Sequence, residues 1–493
     1  MPFIANFPFF CIMLTMASGV ISSILSGKNA YRVNLVATAA CLVMSLALLG
    51  YMIQNPQQIT YMMGHFPAPW GNEIRFGPLE ALMASVFCFV MLASLISGKS
   101  DIFMDVKPGK VNLFYIMVNL LLSSLLALIY TNDIFTAYVF VEINTLSACA
   151  IVMAKENGKT LSATIRYLIM SLLGSGLFLM SIILLYDLTG HLLMVDIHNQ
   201  IVILMQTGKY ILPLTIIIGL LAVGMAMKSA LFPFHAWLSH AHGSATTASS
   251  AILSGLVLKG YIILLIKIFV RVLGIDVVAQ LQVTNILFVF AVLGMIIGSI
   301  DAIRENHIKR MIAFSSVAQI GYIYLGIGLG TKAGLVAACF HIIVHAITKP
   351  MLFSAAGGLS DASGHKKHFD ELVGAAYRNP LAGFAFAIGS FSMIGIPFFA
   401  GFATKYYLAT AAMQVPGKMW LALFALAVST VLNAVYYIKA LATIFYKENQ
   451  NVTRYKNPKT YVVGMSAFLV ANILLGLFYQ PVMDIIIQGM KVF

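Results

Sequence analysis

Four lysines, Lys228, Lys259, Lys349 and Lys405, stand inside stretches otherwise apolar enough to cross a bilayer, and Glu142 stands in a fifth. Placing a charge at the bilayer centre costs at least about 2.5 to 3.5 kcal/mol, so a chain that does this repeatedly is expected to use the charges. Glu142 lies mid-stretch in Tyr138-Val139-Phe140-Val141-Glu142-Ile143-Asn144. A carboxylate at that depth either holds a proton or pairs with a cation. Lys228, central in Gly224-Met225-Ala226-Met227-Lys228-Ser229-Ala230, is the natural partner. A pair that opens and closes would switch the charge of its neighbours and pass a proton on; one that stays closed would be structural. The residues alone leave both readings open.

Lys259 follows Ser254-Gly255-Leu256-Val257-Leu258 inside its own apolar stretch. A desolvated lysine becomes a reversible proton carrier. Snorkelling to the interface fits Lys267 and Lys439, near the ends of their stretches, better than it fits Lys259. His341, His345 and Lys349 recur at four-residue steps and so share one helix face. An imidazole donates from one ring nitrogen while accepting at the other, which suits such a face to a proton wire. No carboxylate or cysteine accompanies it, so no metal site is expected there. Lys405, after Pro397-Phe398-Phe399-Ala400-Gly401, would be the last carrier. His235, His240 and His242 cluster beside Trp237; His235 is a candidate for admitting protons, or the group is interfacial polarity around an aromatic anchor.

The elements that hold these residues are membrane helices. The chain has 493 residues, 60% of them hydrophobic and only 10% charged, against about 25% charged in ordinary soluble proteins. About fourteen apolar segments are long enough to span a bilayer, among them 134–153, 211–234, 246–270, 333–357 and 380–407. Unpaired backbone is not tolerated in lipid, so the fold class is an all-α membrane protein. The apolar start, Met1 to Ser26, has no basic leader and reads as a retained first span.

Basic residues gather on alternate loops, including Lys28, Arg32, Lys99, Lys107, Lys110, Lys155, Lys159, Lys366, Lys367 and Lys456. The opposite loops hold few, such as Arg75, Lys209, Arg271 and Lys418. This asymmetry places both termini on the non-cytoplasmic side of a cell inner or plasma membrane. The net charge of +13 therefore reflects topology rather than a nucleic-acid partner. Gly224 and Pro233 flank Lys228, and Gly395 and Pro397 precede Lys405; both pairs suggest interrupted helices. The longest outer loop, 54–76, carries Pro56, Pro67, Pro69 and Gly71 and is expected to form turns or short strands. Cys11, Cys41, Cys88, Cys149 and Cys339 all lie in apolar runs without ligand spacing. No nucleotide loop, haem pattern or catalytic triad occurs, so neither a cofactor nor catalytic residues are expected.

Taken together, Glu142, the run Lys228-Ser229-Ala230-Leu231-Phe232-Pro233-Phe234-His235-Ala236-Trp237-Leu238, Ser254-Gly255 through Lys259, and His345-Ala346 through Lys349 carry a resemblance. The chain resembles the antiporter-like membrane subunits of respiratory complex I, Mrp-type sodium/proton antiporters and membrane-bound hydrogenases, over about residues 77–440. The resemblance implies fourteen helices with two inverted five-helix units, and discontinuous helices that carry Lys228 and Lys405. On that plan, 1–110 would hold three N-terminal helices, 111–270 and 283–442 the two repeats, and 443–493 a C-terminal helix. It implies proton translocation through Glu142, Lys228, Lys259, His341, His345, Lys349 and Lys405. Partners would be other membrane subunits of a multisubunit complex in the bilayer. Three alternatives stay open: the D-type member of an Mrp-type antiporter with sodium as a cargo, a membrane subunit of an NADH- or hydrogenase-linked redox complex, and a structural or quinone-proximal role. The chain departs from the pattern at Ser239-His240, at Ala245-Thr246-Thr247, and at Glu80, where an uncharged polar residue is expected.

Overall fold

Three of the four lysine-bearing segments become helices that break or change pitch near the functional residue, while the helix Lys332–Asp361 runs unbroken through Lys349. In the computed structural model, which describes residues 3–67, 70–206, 208–447 and 453–493, the helix Ile211–Lys228 ends on Lys228 itself. A short helix, Ala236–Ser244, resumes beyond a turn in which Ala230 takes a left-handed φ of 58°. The second expected interruption divides 380–407 into Pro380–Ile394 and Ala400–Met413. There Gly395, at φ 89°, makes the reversal that a residue with a Cβ resists. Pro69 lies outside the described residues.

Backbone freed at such a break must find partners in lipid. At the first break the Ser229 hydroxyl donates to the Met225 carbonyl at 2.8 Å and lies 2.7 Å from the Tyr324 hydroxyl. At the second, the Lys405 ammonium donates to the Ile394 carbonyl at 2.6 Å. The run 247–273 is helical throughout but widens into π-helix at Leu253–Val257, just before Lys259, and again at Ile268–Leu273. Such bulges recur at functional sites.

The chain is an all-α, multi-pass membrane protein. Among the described residues, 12 helices are long and apolar enough to cross a membrane. The outer loop contributes one hairpin, Ile59–Met62 against Glu73–Phe76, antiparallel with Ile59 opposite Phe76. All five cysteines are buried and unpaired.

The helices Ile308–Gly328 and Lys332–Asp361 form the centre, with 94% of the apolar window of each buried, against 33% for Gly27–Gln54 at the periphery. Two close approaches set the packing. A Cβ on Gly255 would lie 2.4 Å from Pro350 Cγ, so the π-bulged run packs tightly on Lys332–Asp361. A Cβ on Gly174 would lie 2.8 Å from the Gly224 carbonyl, and one on Gly224 2.7 Å from the Gly174 carbonyl. This small-residue crossing brings Gly158–Thr189 against Ile211–Lys228.

Lys267 corrects the snorkelling expectation. It is 1% exposed and donates to the carbonyls of Ile129 at 2.5 Å and Thr131 at 2.6 Å. The orphan carbonyls ending Val111–Tyr130 capture its ammonium, a better solution than reaching for the interface. Arg271, expected in an outer loop, is also buried and ion-paired with Glu80.

Candidate functional site

The breaks and the π-bulge bring most of the sequence-predicted residues into a line of adjoining hydrogen-bonded clusters. At its first end Lys228, fully buried, places Nζ 3.4 Å from Glu142 Oε1 and donates to Thr145 Oγ1 at 2.9 Å. Glu142 keeps 23% of its side chain exposed and accepts from Ser175. Thr145 lies one turn beyond Glu142 on Ile134–Val152, so both face Lys228. Its hydroxyl is 3.1 Å from the Tyr261 hydroxyl, which donates to Asn144 Oδ1 at 3.2 Å.

Tyr261 lies two residues from Lys259, which is fully buried and donates to the Ser254 carbonyl. The Ser254 hydroxyl stands 3.2 Å from that of Ser316. One residue away, Ser315 accepts from the buried Lys349 ammonium at 2.7 Å. Lys349 also donates to the Ile312 carbonyl at 3.1 Å and the Tyr437 hydroxyl at 3.3 Å.

From Ser315 the line continues through Tyr436, whose hydroxyl lies 2.8 Å from Ser315 Oγ and donates to Asn433 Oδ1 at 2.8 Å. Asn433 donates to the Tyr322 hydroxyl at 3.4 Å. Lys405 Nζ sits 5.1 Å over the Tyr322 ring and donates to Thr430 Oγ1 at 2.9 Å. Lys405 thus joins the line without any carboxylate beside it among the described residues.

His341 and His345 face the same interior with ring centroids 6.2 Å apart, and among the described residues no nitrogen of either ring has a hydrogen-bond partner. Tyr322 lies 5.6 Å from the His341 ring. His235 stands apart from the line, with Nε2 3.5 Å from Asp301 Oδ2.

Sequence reasoning missed a polar basin of about 310 Å³ on the lysine-rich face, lined by Asp101, Asp105, Lys155, Lys309, Asp361 and Lys367. Lys155 pairs with Asp105 at 2.6 Å, and Lys309 donates to the Ala245 carbonyl at 3.3 Å. Burial pushes the Asp101 carboxyl up to about 6; Asp361 adds to the rise and Lys309 opposes it. Thr247 also lines the basin, and Thr247, Ser250 and Ser254 recur along one face of the π-bulged run toward Lys259. Ser250 Oγ donates to the His242 carbonyl at 3.3 Å, and the His242 ring, fully buried, stacks on Phe353 at 4.5 Å. That Thr/Ser/Ser spacing is the signal from which the sequence alone would have suggested a route.

These features together make a multi-pass helical membrane protein with broken helices and charges buried on several of them. The chain belongs to the NADH:quinone oxidoreductase/Mrp antiporter transmembrane family, whose pattern matches residues 131–433 and so contains Glu142 and all four buried lysines of the line. It is 31% identical over 470 residues to an NADH-quinone oxidoreductase subunit N of Desulforudis audaxviator, covering 92% of this chain and 91% of that one. It is 30% identical over 451 residues to a putative antiporter subunit mnhD2 of Staphylococcus epidermidis, covering 89% and 84%. Its fold matches a chain of an archaeal membrane-bound sulfane sulfur reductase complex, with a TM-score of 0.88, 24% identity and 99% and 97% coverage. It also matches one of the Mrp complex of Dietzia sp. DQ12-45-1b, with a TM-score of 0.89, 21% identity and 100% and 97% coverage.

Proposed function

We propose that this chain is the ion-moving membrane subunit of a multisubunit complex, NADH-linked or Mrp-type, and that it passes protons along the line from Glu142 to Lys405. Family membership and the named relatives support the kind of assembly more directly than they support the route. The observation that carries the route is the succession of buried hydrogen-bonded clusters around Lys228, Lys259, Lys349 and Lys405, which adjoin through neighbouring residues, Tyr261 with Lys259 and Ser316 with Ser315, on separate helices. Protons reach its middle from the basin around Asp101 and Lys309, by way of Thr247, Ser250 and Ser254 beside His242. Opening and closing of Glu142–Lys228 alters the field felt by Lys259, and the change propagates through Lys349 to Lys405. Each lysine acts by holding or yielding one proton at Nζ.

Counting the π-bulged run and the broken pair 380–413 as crossings would make fourteen spans. The two breaks, at Lys228 and at the approach to Lys405, support two related five-helix units.

The test is proton uptake by proteoliposomes of the assembled complex carrying Lys228→Ala or Glu142→Gln. Both should assemble and lose coupled proton movement; wild-type rates in both would sink the mechanism.

The antiporter relative favours a second reading of the cargo, sodium/proton exchange by the whole complex. Sodium requires oxygen ligands, whereas the ionisable groups of this line are, apart from Glu142, amines and imidazoles that cannot ligate it when protonated. The sodium path would then lie in another subunit. Radioactive-sodium flux that depends on Lys259 would reverse that assignment.

A further inference from the structure

On the same lysine-rich face, beside the basin and sharing Met104 with it, a groove of about 550 Å³ runs between the start of Gly27–Gln54, the short helix Lys99–Asp105 and the start of Lys459–Leu477. Lys28, Arg32 and Lys99 line it. Some basic residues of this face are ion-paired, Lys107 and Lys110 sharing Glu156, Lys155 with Asp105, Arg310 with Glu305 and Lys366 with Glu371. Among the described residues, none of the three groove cations has a carboxylate within ion-pair distance. Lys99 instead rests over the Tyr31 ring, 4.7 Å from its centroid.

Lys28 and Arg32 lie in the opening turns of a 28-residue helix whose Ser26 N-cap makes no side-chain bond. The positive end of the helix dipole disfavours cations there. Three unneutralised cations at that position leave a place for a fixed anion.

The surface below the groove identifies the anion's carrier. Arg32, Val36, Val43 and Leu46 share one face of Gly27–Gln54, and Val36, Val43 and Leu46 are 68%, 66% and 51% exposed. Met104, at the groove, is 59% exposed. A cationic cradle that continues into an outward apolar stripe at the membrane boundary matches a phosphodiester head with its acyl chain laid along the helix. We propose that this groove binds an anionic phospholipid, the phosphate held by Lys28, Arg32 and Lys99 and one acyl chain on the Val36–Val43–Leu46 stripe.

The test uses the complete purified complex in phosphatidylcholine nanodiscs containing a minority of phosphatidylglycerol with a photoreactive acyl chain. Irradiation should yield an adduct on the peptide that carries Val36, Val43 and Leu46. The triple variant K28Q/R32Q/K99Q should bind that lipid on the order of a hundredfold more weakly, since each near-surface cation contributes comparably. The control K159Q/R304Q/K447Q removes the same charge elsewhere on this face and should retain the adduct. Adducts confined to other helices, equal labelling of both triple variants, or labelling of a neighbouring subunit's acidic segment from this groove would each overturn the proposal. If the triple variant fails to assemble, the position of the adduct in the unmodified complex decides alone. Inorganic phosphate at equal concentration should not displace the lipid; full displacement would mean that the site takes a free anion instead.

Discussion

At the first helix break the buried lysine meets a carboxylate, while at the second it meets only neutral oxygens. Lys228 has Glu142 as well as Thr145; Lys405 has the Ile394 carbonyl and Thr430. Both breaks do the same architectural work, putting an ammonium where the backbone turns away. A carboxylate adds a handle, because moving it changes the field at Lys228 by a full charge. Lys405 has no such handle, so its state answers only to the rest of the line. The two ends are therefore unequal, one suited to starting a charge shift and the other to receiving it.

The contrast can be broken at several points. The largest effect is expected from a double-mutant cycle at the first end. Glu142→Gln and Lys228→Met should each lower proton transport on the order of a hundredfold, and the pair together should be no worse, as for residues acting as one unit. Multiplying losses would mean that the two act separately. Next, Thr430→Glu would supply Lys405 with the counter-charge it lacks. Holding that ammonium charged should slow transport about tenfold while the complex still assembles. An unchanged rate would show that the missing carboxylate does not matter.

Tyr436→Phe removes the hydroxyl that joins Ser315 to Asn433. Loss of a hydrogen-bond link worth about 1 kcal/mol predicts about a fivefold slower flux, read as proton uptake with assembly unchanged.

Asp101→Asn tests the basin through pH. The wild-type carboxylate is lost as pH falls through about 6, so transport drawn from that side should decline there, and the variant should lack that limb. The folded carboxyl titrates above an unfolded aspartate. Ionising it therefore weakens the fold as pH rises from about 4 to above 6. At pH 8 the variant should be at least as heat-stable as wild type, which separates a transport defect from unfolding.

The smallest effect belongs to Glu156, whose carboxyl Lys107 and Lys110 hold below its usual range. Its contribution is present above the ordinary glutamate range and fades as pH falls through the lowered value. Because the group is exposed, Glu156→Gln should barely move the thermal midpoint, and less still in high salt.

The central line was legible where a charge interrupts a long apolar run, because nothing else explains an ammonium at that depth. Glu142, Lys228, Lys259 and Lys349 announce themselves this way, and the breaks are announced by Pro233 and by Gly395. What stayed hidden depends on residues distant in sequence. The Glu80–Arg271 pair spans 191 positions, and Gln58 Oε1 accepts from Arg271 at 2.8 Å in the same cluster. The basin assembles Asp101, Lys309 and Asp361 from three separate helices, and no local pattern foretells their meeting. Lys267 was misread for a related reason. Position near a helix end suggests the interface, but the nearest unsatisfied carbonyls belong to another helix.

The crossing at Gly174 and Gly224 carries a consequence for time. With no room for a Cβ on either side, the helix bearing Lys228 is seated on the helix bearing Ser175, which holds Glu142. Sliding these helices past one another would require repacking that seam. On the proposed route, parting Glu142 from Lys228 need not disturb that seam, since a turn of the Glu142 side chain separates them. Exposed rotamers turn over in picoseconds to nanoseconds, whereas collective helix motions take microseconds to milliseconds. A switch of that speed would leave the pace of turnover to a slower event elsewhere in the assembly.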